Sequence, residues 1–153
     1  MTNMTSLLER SAWLAWALIV LSMIGAAWMI ADTDPPFRML SYESTPARPG
    51  GILRVDAVVQ RALSRRCSVT FSRHLFDSEG TRIDISPAVV MTADALEGLD
   101  RAAPGQLRLA ISIPAHTLPG PARLVTPLQY QCNAWHAIRP IETTIVMVVE
   151  ISP

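Results

Sequence analysis

The sequence predicts a mainly β protein, with one N-terminal transmembrane helix followed by a single domain of antiparallel strands. Ser11 to Ala31 (SAWLAWALIVLSMIGAAWMIA) is an apolar run without a charge, and about 20 such residues at 1.5 Å each cross a hydrocarbon core of about 30 Å. After Gly51 the apolar residues recur at every second position, which is the period of a half-buried strand. Length adds a bound: 153 residues, less the anchor and a spacer, leave about 100 for one core and no second domain. The predicted organisation is a short tail (1–10), the helix (11–31), a Pro/Gly linker (32–50) and the strand domain (51–153).

Composition narrows the function classes. The hydrophobic fraction of 50% is raised by the anchor, but the C-terminal part is also rich in Val, Ile and Leu, so it is not disordered by composition. Basic and acidic residues both total 13, giving zero net charge. No global field therefore draws the chain to nucleic acid, and no nucleic-acid partner is expected. Every basic residue is Arg; none is Lys.

The helix is bounded by Glu9 and Arg10 on one side and by Asp32, Asp34, Pro35 and Pro36 on the other. A cleaved signal peptide is the rival reading, but its apolar region normally spans about 7–15 residues behind a basic start. Trp13 and Trp16 near one end and Trp28 near the other match an aromatic belt. Arg10 is balanced by Arg38 and Arg48, so the positive-inside rule barely discriminates. The short tail and the acidic, proline-bearing exit favour a cytoplasmic N-terminus and an exported domain in the inner membrane. Both cysteines would then stand in an oxidising space. Ser22, Gly25 and Ala26 would allow a second helix to approach closely, or simply face lipid.

From Asp32 to Gly51, Pro35, Pro36, Pro46, Pro49 and the Gly50-Gly51 pair stand among polar residues and read as an extended spacer. Leu53, Val55, Ala57 and Val59 then share one face opposite Arg54, Asp56 and Gln60. Val58 breaks the pattern, and Val55 to Leu63 also admits a helix. Cys67, Val69 and Phe71 point one way in the next strand. Asp77-Ser78-Glu79-Gly80 supplies turn chemistry for a hairpin joining Arg73–Phe76 to Arg82–Ile85. Met91 to Pro104 allows a short helix capped by Thr92, or a loop. Leu107, Leu109, Ile111 and Ile113 form another apolar face, ended by Pro114. Pro119-Gly120-Pro121 makes a corner. Leu124, Thr126, Leu128, Tyr130 and Cys132 share the inward side of the strand that follows. Thr143 to Ile151 (TTIVMVVEI) is apolar on both faces, as a central strand or one covered by a partner would be.

An inward Cys67 in an early strand, six or seven short strands, and Tyr130-Gln131-Cys132 after a Pro-Gly corner resemble an immunoglobulin-like β-sandwich. The resemblance covers roughly Gly51 to Pro153. It implies that Cys67 and Cys132 bridge the two sheets and that the Tyr130 hydroxyl bonds backbone upstream. No tryptophan stands around Phe76 to Ile83, where the family carries one in its third strand, so the nearer comparison is a looser sandwich similar to fibronectin type III. The layout of tail, anchor and small sandwich is also similar to that of small inner-membrane proteins of bacteria, phages and prophages.

The chemistry-bearing residues point away from catalysis. His74, His116 and His136 are scattered with no pair at ligand spacing, so no metal and no cofactor is expected. There is no Gly-x-Ser-x-Gly elbow and no phosphate loop, and the cysteines lack the electropositive exposure of a reactive thiolate. Asp77, Glu79 and Asp84 read as solvated hairpin residues. Two contact sites remain. Arg61, Arg65, Arg66, Arg73 and His74 form a local basic excess suited to a phosphate, a lipid headgroup or an acidic partner. Trp135, with Asn133 and His136, stands in a loop after Cys132 where a tryptophan can anchor a partner.

The expectation is thus a non-catalytic, membrane-anchored sandwich acting as an interaction or assembly module in a bacterial or phage-related envelope. Its partner would be another envelope protein, or a second copy met through the anchor or through Thr143–Ile151. The alternative is an anionic-ligand-binding or sensing domain that uses the Arg61–His74 cluster.

Overall fold

The computed structural model describes residues 2–62, 65–92, 95 and 105–153, with side chains described from Trp13 onward. Two compact units, Met1–Thr33 and Asp34–Pro153, divide the chain. The first is a single helix, α1 (Thr2–Ala31). Its segment Trp13–Ala31 has a mean hydropathy of 2.2 and a length of about 28 Å. It is apolar on every side, as a membrane anchor or a signal sequence is. Ser22 satisfies its hydroxyl within the helix by donating to the Ile19 carbonyl at 2.8 Å. The expected separate tail is instead continuous with this helix, because Thr2 to Arg10 contain no glycine or proline to interrupt it.

Among the described residues the second unit holds seven strands: β1 (Phe37–Thr45), β2 (Ile52–Arg61), β3 (Ser68–Phe76), β4 (Arg82–Met91), β5 (Gln106–Ser112), β6 (Gly120–Gln131) and β7 (Ile141–Ile151). They pair antiparallel in two sheets, β1-β2-β5 and β4-β3-β6-β7, which form a sandwich. The alternation read in Leu53 to Val59 is observed in β2, where the odd-numbered residues of that stretch are buried and the even-numbered ones face solvent. The helical alternative for Val55 to Leu63 is therefore excluded up to Arg61. Most of Met91 to Pro104, residues 93–94 and 96–104, lies outside the described residues; Thr92 Oγ1 does accept the Ala95 N–H at 3.4 Å.

The linker is the main departure from expectation. Its residues 37–45 are not a spacer but β1, paired with β2 from Phe37↔Arg61 to Thr45↔Arg54. A bulge between Met39 and Ser41 explains why the alternation was hidden. It shifts the half-buried set from Phe37 and Met39 to Tyr42 and Ser44, so that no single period of two runs through the segment. The hairpin strand β4 also runs past the expected stop at Ile85. Edge position and two register shifts accommodate Pro87, which cannot donate to a ladder. Gly120 opens β6 at φ +124°, where a Cβ would come within 2.9 Å of Ser78 Cβ in the hairpin turn.

The last strand, β7, is an edge rather than a central strand. Its C-terminal half is stapled to the end of the other sheet. Ala47 N–H donates to the Glu150 carbonyl at 3.1 Å, Ser152 N–H to the Ala47 carbonyl at 2.8 Å, and Val148 N–H to the Tyr42 hydroxyl at 2.8 Å. These bonds occupy backbone groups that would otherwise template another strand.

Apolar packing is unequal along the sandwich. At the end holding Leu53, Val55, Leu75, Leu124, Met147 and Ile151, both sheets contribute buried residues to one cluster. At the other end the buried cluster is Val69, Leu128, Tyr130 and Ile141, all from the four-stranded sheet, with Phe37 of the facing sheet only half-buried against it. Replacing Tyr42 by Phe removes the acceptor for Val148 N–H. We expect Tyr42→Phe to lower stability by about 1 kcal/mol, read as a lower urea midpoint at unchanged m-value with faster amide exchange at Val148.

Candidate functional site

Cys67 and Cys132 form a disulfide with their Cα atoms 4.1 Å apart, but it does not bridge the two sheets. Ser68 pairs with Gln131 across adjacent strands β3 and β6, so the cysteines continue the same ladder one position further. The inter-sheet pin implied by the immunoglobulin resemblance is thus corrected to a cross-strand pin within one sheet. Because the order β4-β3-β6-β7 makes β3 and β6 neighbours, inward position alone did not decide which sheet each cysteine belonged to.

The Tyr130 corner is corrected as well. Tyr130 is 2% exposed, and its hydroxyl has no hydrogen-bond partner among the described residues. Burial pushes its pKa up, keeping the hydroxyl a neutral donor. The same strand face carries Thr126, also buried, whose hydroxyl likewise lacks a partner among the described residues.

Both hydroxyl-bearing residues line a cavity of about 270 Å³ between the sheets, at the loosely packed end. Its walls are mainly apolar, with Phe37 and Met39 from β1, Leu107 and Leu109 from β5, and Val69 and Leu128 opposite them. Three residues of the predicted basic cluster, Arg61, Arg65 and Arg73, line this cavity together with Arg108, and no carboxylate stands among the described lining residues. Arg73 Cζ lies 4.9 Å from the centroid of Phe71, and Arg61 Cζ lies 5.9 Å from that of Phe37. Such stacking on ring faces favours a cation. Burial pulls the Arg73 pKa below its ordinary value, although a guanidinium remains charged at neutral pH. Arg65 donates to the Asp34 carbonyl, and Arg108 pairs with Asp56 at 3.2 Å. Arg66 is exposed and is not part of the lining.

Trp135, Asn133 and His136 stand in the loop that follows Cys132. Trp135 opens a short 3₁₀ turn, Trp135–Ala137, and is half-buried. Asn133 Oδ1 accepts the His136 N–H at 3.1 Å, and the buried His136 accepts the Cys132 N–H on Nδ1 at 3.3 Å. Asn133 and His136 therefore brace the loop beside the disulfide instead of presenting their polar groups outward. Asp77 is likewise a buried turn staple, accepting from Glu79 N–H and Thr81 N–H.

One constellation escaped the sequence. His74 Nδ1 lies 2.7 Å from Asp84 Oδ1, and its Nε2 lies 3.1 Å from Ser72 Oγ. Pairing His74 with Asp84 across β3 and β4 creates it, and the register shifts that set this pairing are not visible in the one-dimensional pattern. The connectivity is that of an acyl-transfer relay. Such chemistry also needs donors aimed at an oxyanion and a cleft for the acyl group, and Ser72 lines neither described cleft. The hydrogen bond from His74, then that from Arg82, holds the Asp84 carboxyl below its ordinary range.

The chain matches no protein-family model and no curated protein sequence.

Two outcomes follow for this end of the sheet. The bridge spans 65 residues of sequence, for which the chain-entropy relation gives about 4 kcal/mol. Replacing both cysteines by Ser should lower the unfolding free energy by that order in urea titrations. Since the Asp84 pKa is depressed, its contribution is present above the unfolded value of about 4 and lost as pH falls through the folded value. The stability gap between wild type and Asp84→Asn should therefore narrow as pH falls below about 4.

Proposed function

We propose that this chain is a non-catalytic, single-span protein of a bacterial or phage-related inner membrane whose sandwich binds an anionic, partly apolar small molecule between its sheets. One observation carries the reading: the half-buried, cationic Arg73 lines a cavity whose walls are mainly apolar. A cavity with apolar walls and few convergent polar groups is the usual form of a small-molecule site.

The location rests on different features. An uncleaved anchor accords with the 19-residue apolar segment Trp13–Ala31, longer than the apolar core of most signal peptides. A paired disulfide accords with an N-terminus in the cytoplasm and a domain in the oxidising space outside it.

A second reading, assembly through β7, draws on its outward face. Val146 and Val148 are more than half exposed, and Val125 of β6 lies opposite Val146. The stapled C-terminal edge favours packing through this face over strand addition.

Titration of the full chain, held in phosphatidylcholine nanodiscs, with the anionic fluorophore 8-anilinonaphthalene-1-sulfonate tests the cavity reading. Saturable binding to the natively folded protein is expected, weakened by added salt and by Arg73→Ala. Emission no greater than that of empty nanodiscs would count against it.

A further inference from the structure

The cavity's dimensions, its lining and its charge together define a ligand class. Its lining reaches across the whole four-stranded sheet, from Met91 on β4 to Ile145 on β7. Three strand spacings make that span about 14 Å. A volume of about 270 Å³ holds roughly nine groups of water or methylene size.

The walls favour a flexible occupant. Met39, Met91 and Met147 all line the cavity, and unbranched thioethers adapt to a chain without fixed shape. The polar groups define the chain's end. Arg73 is half-buried against Phe71 with its guanidinium available as a charged donor, and an anion there would gain a charge-assisted hydrogen bond in a partly desolvated setting. Arg61 and Arg65 add positive charge to the same lining.

We propose that this cavity takes a single acyl chain of about ten carbons ending in an anionic head, with the tail among the methionines and the head against Arg73. This rests on the cavity reading given above and narrows it to one chemical class. A free fatty acid and a single-chain lysolipid share that chemistry.

The test uses the full chain in phosphatidylcholine nanodiscs with its methionine methyl groups labelled with ¹³C. Met39, Met91 and Met147 report on the cavity, and Met23 and Met29 in the helix report on partitioning into the bilayer. Decanoate, decanoyl lysophosphatidylglycerol and the neutral 1-decanol are titrated separately. Saturable shifts at the three cavity methionines with either anionic ligand are expected, and the ligand that binds identifies the source. Arg73→Ala should weaken that anion about tenfold, the effect of losing one charged hydrogen bond, and leave decanol unchanged. Leu128→Trp should fill the cavity and abolish the shifts. If that overpacked variant does not fold, the comparison of decanoate with decanol in wild type and Arg73→Ala still decides.

Shifts confined to Met23 and Met29, equal affinity for decanol and decanoate, or an Arg73→Ala variant that binds the anion as wild type does would each overturn the proposal. Retained sulfonate-dye binding without acyl binding removes the acyl assignment alone. Loss of both removes the cavity reading itself.

Discussion

The sandwich is closed by apolar packing at one end, and the rest of the domain follows from that asymmetry. Leu53 and Val55 of one sheet meet Leu75, Leu124 and Met147 of the other in a cluster with little or no exposure. Toward the opposite end the facing sheet contributes Phe37, Met39, Leu107 and Leu109, which are only half-buried. Two sheets normally pack about 10 Å apart, a gap filled by interdigitating side chains. Where the facing side chains stay only half-buried, the gap is left partly unfilled, and a cavity opens over Val69, Leu128 and Tyr130.

The disulfide lies within one wall of that cavity. A bridge between sheets would draw the two backbones together where they are least packed. The bond between Cys67 and Cys132 instead locks β3 to β6 within one sheet, and the loop after it is braced by Asn133 and His136. The wall of the cavity is thereby fixed while its opposite wall remains separate. Tyr130 shows the same division of roles. In an immunoglobulin corner its hydroxyl would bond backbone, whereas here it is buried without a partner among the described residues and stays neutral.

Much of this architecture was legible because burial imposes a period of two wherever one face is wet. The β2 and β6 faces, the hairpin at Asp77-Ser78-Glu79-Gly80 and the apolar helix were read from that rule and from turn chemistry. The misses share a cause in register and sheet assignment. A bulge at Leu40 splits the inward set of β1 into Phe37 and Met39, then Tyr42 and Ser44, so its prolines and polar residues dominated the reading. Pairing between strands distant in sequence placed both cysteines in one sheet, and a chain listing cannot show that. The arginine cluster was visible as a charge excess from Arg61 to Arg73. Its chemistry was not, because the apolar walls opposite come from Phe37, Met39, Leu107 and Leu109, far away in sequence.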